Sequence, residues 1–184
     1  MDEPTPAGYT TVAPWVVTSD TGTLLEFITE VFDGTELGRV ALEDGSTGHA
    51  EIRVGNTVLL AFDRQDDWPE MPSLLRVWVP DADAAISRAV DVGSRVVTPA
   101  STSAFGQRGG RICDPFGNIW WITAQVEIVE PGEGMRRLTQ APYAEAMREA
   151  QESFDFEMTG RSRASSPPDL PRTPHTPHTP RTPQ

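Results

Sequence analysis

Phe105-Gly106-Gln107-Arg108-Gly109-Gly110-Arg111-Ile112-Cys113-Asp114-Pro115-Phe116-Gly117-Asn118-Ile119-Trp120-Trp121 is the stretch whose reading decides the fold. An open, glycine-rich loop runs into a short strand. Asp114 to Asn118 then makes a tight turn. Pro115 fixes φ, Gly117 can take positive φ, and Asp114 can accept hydrogen bonds from its own backbone. A second strand, Ile119 to Gln125, follows at once. The stretch is a β-hairpin carrying Gln107, Arg108 and Arg111 on its loop side.

The plan occurs twice. Gly48, Gly55 and Asn56 sit 62 positions before Gly110, Gly117 and Asn118. Thr18-Ser19-Asp20 and Val79-Pro80-Asp81, 61 positions apart, each close an apolar strand and open a helix. Gly34 and Gly93 are placed to end those helices. Two copies are too few for a solenoid, so the chain reads as two half-sheets that face each other.

In chain order, Val12 to Thr18 alternates as a strand. Asp20 or Thr21 caps a helix whose apolar stripe is Leu24, Leu25, Phe27, Ile28, Val31 and Phe32. Thr23 and Glu26 have capping-box spacing. Strands are expected over Thr35–Leu42, His49–Val54 and Thr57–Phe62. An acidic linker with Trp68 leads to a strand at Leu74–Val79. A helix from Asp81 or Asp83 to Gly93 and a short strand at Arg95–Thr98 precede the hairpin. The resulting boundaries are a frayed segment 1–9, a domain 10–128 (modules 10–63 and 73–128, linker 64–72), an extension 129–159 and a tail 160–184. Within the extension, Met135 to Phe156 can hold a helix with a partial stripe of Leu138, Tyr143, Met147 and Ala150. The tail repeats Pro every third residue, which favours a disordered polyproline II chain without a core. His175 and His178 lie there and are poor candidates for catalysis.

Formal net charge is -12, which argues against a nucleic-acid partner. All 15 basic residues are Arg. The N-terminal residues are acidic and polar, unlike a signal peptide, and no apolar run is long enough to span a membrane. Cys113 is the single cysteine, so no internal disulfide forms and a cytoplasmic setting is expected.

The duplicated βαβββ plan and the run F-G-x-R-x-G-R-x-x-D-P-F-G-N-x-W resemble the vicinal oxygen chelate superfamily of glyoxalase I, bleomycin-resistance proteins and extradiol dioxygenases. His49-Ala50-Glu51 before a Gly-Asn hairpin is similar to its PhnB-like branch. The resemblance covers about residues 9 to 128. It implies an α+β fold in which each half curls into a half-barrel, helices outside, around an open cup. Family enzymes hold a divalent metal there on His and Glu. Carried over by strand register and the internal repeat, those four positions fall on Ala13, Leu59, Leu74 and Trp121, none of which can hold a hard cation. No metal or other cofactor is therefore expected.

The same parity turns Trp15, Ala61, Arg76, Trp78, His49, Glu51, Arg53, Arg111 and Cys113 inward, and Val16, Ile52, Leu75, Val77 and Trp120 toward the helices. Trp15, Trp78 and Trp121 could stack a planar ligand or simply fill the core. Arg53, Arg76 and Arg111 line the cup; Arg76 and Arg111 can pair with a carboxylate, phenolate or enolate. Arg108 is placed to gate the entrance. His49 and Glu51 could be an acid–base pair, two ligands of a relocated metal, or a network tethering strands. The expectation is a metal-free small-molecule-binding protein of the antibiotic-sequestering kind. It would take a planar aromatic or anionic metabolite and work as a homodimer. The alternative is a lyase, isomerase or dioxygenase centred on His49 and Glu51, with a divalent metal only in that case.

Overall fold

A computed structural model describes residues 5, 6 and 8–164, with side chains to Arg161. The proline-rich run and both of its histidines lie outside the described residues. The first module is β1 (Trp15–Thr18), α1 (Thr21–Phe32), β2 (Thr35–Ala41), β3 (Thr47–Val54) and β4 (Thr57–Asp63). The second is β5 (Leu74–Trp78), α2 (Ala82–Asp91), β6 (Arg95–Thr102), β7 (Gln107–Cys113) and β8 (Ile119–Gln125). Two further helices follow, α3 (Pro131–Arg137) and α4 (Ala141–Ala164).

Each module builds a four-stranded sheet, in the orders β1-β4-β3-β2 and β5-β8-β7-β6. In both, the strand before the helix pairs in parallel with the last strand of its module. The sheets stay open and do not close into a barrel. The edges meet where Ser73 Oγ lies 3.5 Å from the Trp15 carbonyl. One core joins the modules: Phe27 and Phe32 of α1 pack on Trp120 of β8, with ring centroids 6.4 and 4.8 Å apart. Arg88 of α2 donates to the Val31 carbonyl at 2.7 Å.

Capping follows the sequence in outline. Asp20 and Asp81 are the N-caps, accepting from the backbone N–H of Thr23 and Ala84. Thr23 bonds Asp20 through both N–H and hydroxyl, so Asp20 takes the role given to the Thr23–Glu26 spacing. The first helix ends differently from expectation. Asp33, not Gly34, takes the left-handed conformation, at φ 55. Gly34 is required for space: a β-carbon there would lie 2.9 Å from both Ile28 and Ile52 side chains.

Three other expectations change. β6 runs on to Thr102, past Pro99, which the ladder accommodates at an irregularity between Thr98 and Ser101. The single C-terminal helix is two, with a break between Arg137 and Ala141. The phase of β4 is the opposite of the one read from sequence. Leu60, not Leu59 or Ala61, pairs with Trp15 and Glu51, while Leu59 pairs with Ile52, and Ala61 with Val16 and Ala50. Leu59 and Ala61 therefore lie in the core under α1. Val58 to Phe62 is apolar throughout, so period-two alternation carries no phase, and only the pairing sets it.

Candidate ligand-binding site

The faces turned away from α1 and α2 carry the candidate residues, and they form two separate groups. On the first sheet, Trp15, Leu60 and Phe62 share the inner face with His49 and Glu51. Trp15 sits edge-on to His49 and Phe62, centroids 5.6 and 5.3 Å away, and Phe62 meets Trp68 at 6.0 Å. His49 Nε2 lies 3.0 Å from Glu51 Oε1. The Tyr9 hydroxyl donates to the other Glu51 oxygen. These two bonds, Tyr9's first, hold the Glu51 carboxyl below its ordinary range. Arg53 is exposed on the same strand beside Gly8, and it makes no ion pair among the described residues.

On the second sheet, β7 positions alternate: Gln107, Gly109, Arg111 and Cys113 face inward, while Arg108 faces the helices. Arg108 pairs with Ala124, a core residue, and holds Asp83 of α2 through two bonds of 2.5 and 2.7 Å. It is thus a strand-to-helix clamp, not a gate over the cup. Trp121 pairs with both Arg76 and Arg111. The two guanidiniums take its faces, at 4.4 and 4.7 Å from the ring, and the stack continues outward to Trp78 (4.4 Å from Arg76) and Phe154 (4.8 Å from Arg111). The faces of Trp121 that the sequence offered for stacking a ligand are therefore taken by cations. Trp15 makes ring contacts on the other sheet, so the three tryptophans do not converge.

Helix α4 lies across this inner face. Arg111 Nη1 donates to the Ala150 carbonyl at 2.9 Å and to Thr98 Oγ1 at 3.2 Å. Thr98 meets Ser153 at 2.8 Å, Arg95 meets Glu157 at 2.6 Å, and Arg161 reaches the Gly117 carbonyl at 2.7 Å and Cys113 Sγ at 3.1 Å. Cys113 is buried, and burial pushes its thiol up, which makes it a poor nucleophile. Between α4 and the sheet lies a cavity of about 310 Å³. Phe105, Trp121, Leu138, Tyr143 and Met147 stand in its apolar wall; its polar lining is Arg111, Gln107 and Gln151 with the hydroxyl residues Thr98, Ser101, Ser103 and Thr123. This size falls at the low end for small-molecule pockets, about 300 Å³ and upward.

Arg111 is half-buried and has no carboxylate within ion-pair distance among the described residues. Its Nε and Nη2 donors have no acceptor there. Burial without a counter-charge pulls the guanidinium below its ordinary value, though arginine stays charged. Among the described residues Arg76 likewise has no carboxylate in ion-pair distance; it donates to Gln107 Oε1, at 2.8 Å, at the cavity edge.

The donor set does not fit a divalent cation. The inner-face positions carried over from the family are Ala13, Leu74 and Trp121, with Leu60 in place of Leu59. No three His, Cys, Asp or Glu side chains come together among the described residues. Both oxygens of Glu51 already accept hydrogen bonds. No described helix is long and apolar enough to cross a membrane.

Sequence reasoning missed Tyr9, Leu60 and Phe62, placed Gln107 on the loop side of the hairpin without giving it a role, and did not bring α4 to the site. A signal for α4 existed: Leu138, Tyr143, Met147 and Ala150, the partial stripe, all line the cavity. The attachment of α4 is pH-dependent in a definite direction. Arg95, and then Arg161, hold the Glu157 carboxyl below its ordinary range. A depressed acid stabilises the folded form above its unfolded value and loses that contribution as pH falls through its folded value. Acidification below about pH 4 is thus expected to release the end of α4. Hydrogen exchange of residues 150–161 should then rise before that of β8.

The Glyoxalase/Bleomycin resistance protein/Dioxygenase superfamily model matches residues 8–122. An uncharacterized protein of Mycobacterium bovis is 34% identical over 137 residues, 66% of this chain and 88% of its own length. Among solved structures, TioX from Micromonospora sp. ML1 aligns with a TM-score of 0.52 at 19% identity, over 66% of this chain and all of its own. The fosfomycin resistance protein FosX from Mesorhizobium loti aligns with a TM-score of 0.51 at 14% identity, over 70% and 98%. Both share the fold.

Proposed function

Since the chain belongs to the glyoxalase/bleomycin resistance protein/dioxygenase superfamily, whose members share a duplicated cup, we propose that it is a metal-free binding protein for a small anion with an aromatic or otherwise apolar body. The observation that carries this reading is Arg111. A charged guanidinium sits in a largely apolar cavity and, among the described residues, has three N–H donors without an acceptor and no carboxylate beside it. An anionic group on a ligand would supply the missing counter-charge, and Phe105, Leu138 and Met147 would receive the body. Sequestration without chemical change fits this cavity, whose lining contains no histidine or carboxylate among the described residues. The FosX neighbour is described as a fosfomycin resistance protein; for this chain the proposal is sequestration of an antibiotic-like anion, which rests on the cavity and not on that neighbour. Homodimerisation and a cytoplasmic setting belong to the same reading; sedimentation velocity measures the first.

The test uses 2-naphthoate and its neutral analogue 2-naphthamide, followed by tryptophan fluorescence and calorimetry. Naphthoate is expected to bind about tenfold to a hundredfold more tightly than the amide, the value of one charge-assisted hydrogen bond to a buried cation. Arg111→Met is expected to abolish that preference while leaving the amide's affinity within about threefold, since only the charge-assisted bond is lost. Equal binding of acid and amide by the unaltered protein overturns the reading.

A further inference from the structure

The first sheet holds a second group of residues that the anion cavity does not use. His49, Glu51 and Tyr9 form a chain on the inner face of β3, beside an aromatic wall of Trp15, Phe62 and Trp68. We propose that this face is a proton-transfer site in which His49 Nδ1 is a general base for an acidic C–H on a planar aromatic substrate.

The geometry supports each role. Glu51 accepts from His49 Nε2 with one oxygen and from the Tyr9 hydroxyl with the other. An ionised carboxylate on Nε2 fixes the tautomer with the proton on that nitrogen. The lone pair then falls on Nδ1, which has no hydrogen-bond partner among the described residues. The His49 side chain is 40% exposed, so the base is accessible. Tyr9 and Glu51 are positioning residues: the first holds the carboxylate, the second holds the ring. Arg53, two residues along the strand, is a further charged group near Tyr9. Glu51 stays ionised because the Tyr9 and His49 bonds depress it. Trp15, edge-on to the imidazole, together with Phe62 and Leu60, presents apolar surface on which a flat substrate can rest. A simple tether of the N-terminal segment would need Tyr9 and Glu51 but not a histidine with a free nitrogen. The site is independent of the cavity under α4, since the two lie on different sheets.

5-Nitrobenzisoxazole is the probe. His49 Nδ1 takes the proton from C3; the C–H electron pair forms the nitrile π bond, the N–O bond breaks, and oxygen leaves as the nitrophenolate. The imidazolium then returns its proton to water, so no other reactant is needed. The full chain is expected to convert the probe about 100-fold faster than an equal concentration of free imidazole, the usual contribution of a placed base. His49→Ala should fall to the imidazole-free background and recover in a saturable way when imidazole is added. Glu51→Gln should lose about tenfold in kcat with KM within about twofold, as for a residue that orients the base and does not hold the probe, whereas Tyr9→Phe should lose less. Circular dichroism checks that each variant is folded. A folded His49→Ala that turns over the probe at the unaltered rate overturns the proposal. So does a rate for the unaltered protein no greater than that of free imidazole.

Discussion

A chain ended after Gln140, lacking α4, is expected to fold and to lose its naphthoate site. The core contains residues from Val16 to Ala124 and none from the C-terminal helices. Both sheets, and α1 and α2, are complete without α4. What α4 supplies is one wall of the cavity, through Tyr143, Met147 and Ala150, and the carbonyl that holds Arg111. Its removal should expose Trp121 and Arg111 to water. The emission maximum should then move to longer wavelength, and naphthoate affinity should fall by more than about tenfold, because hydration weakens each charge-assisted bond. The truncated chain should keep the near-ultraviolet dichroism that Phe27, Phe32 and Trp120 generate. Unchanged naphthoate affinity after truncation would show that the ligand rests elsewhere, and loss of the near-ultraviolet signal would show that α4 is part of the folding unit.

That expectation marks where the sequence stops being informative. The two modules were legible because strand alternation, Asp caps and paired glycines are local, periodic signals. His49, Glu51, Arg76 and Arg111 were placed on inner faces because polar and apolar residues alternate along β3, β5 and β7, and Trp15 and Trp121 by strand parity and the internal repeat in β1 and β8. β4 was misread because five successive apolar residues carry no phase. Arg108 was misread because its loop neighbours suggested a flexible entrance, whereas β7 already begins at Gln107. The packing of α4 on the second sheet could not be read at all. Its contacts are long-range bonds such as Arg111 to Ala150, and the stripe on α4 does not say which surface receives it. Stacking of arginine on Trp121 was similarly invisible, although the parity that made it possible was present in the register.

Asp114→Asn is expected to be the most destabilising isosteric change in the chain. Asp114 is 4% exposed and accepts four hydrogen bonds. Oδ1 takes the backbone N–H groups of Phe116 and Asn118, at 3.0 and 2.8 Å. Oδ2 takes Asn118 Nδ2 and Trp120 Nε1, at 2.9 and 2.8 Å. Burial is the larger effect and holds this carboxyl above its ordinary range, against the downward pull of the four donors. The turn depends on it, with Gly117 at φ 90 closing the loop. Asn118 in turn accepts from Ser73 N–H at 2.9 Å, which fixes the start of β5 beside β8. An asparagine can still accept from the two backbone groups through its oxygen. Its NH₂ then faces two donors, the Trp120 indole and the Asn118 amide, and leaves both buried without an acceptor. Two such losses cost about 3 kcal/mol together. Urea denaturation should show a lower midpoint with an unchanged slope, the sign of lost native stability. Asp114→Ala, which also strands the backbone donors, should cost more. A loss under about 1 kcal/mol for Asn would mean that water or a shifted turn replaces the carboxylate, and the motif would then need another physical reason for its acid.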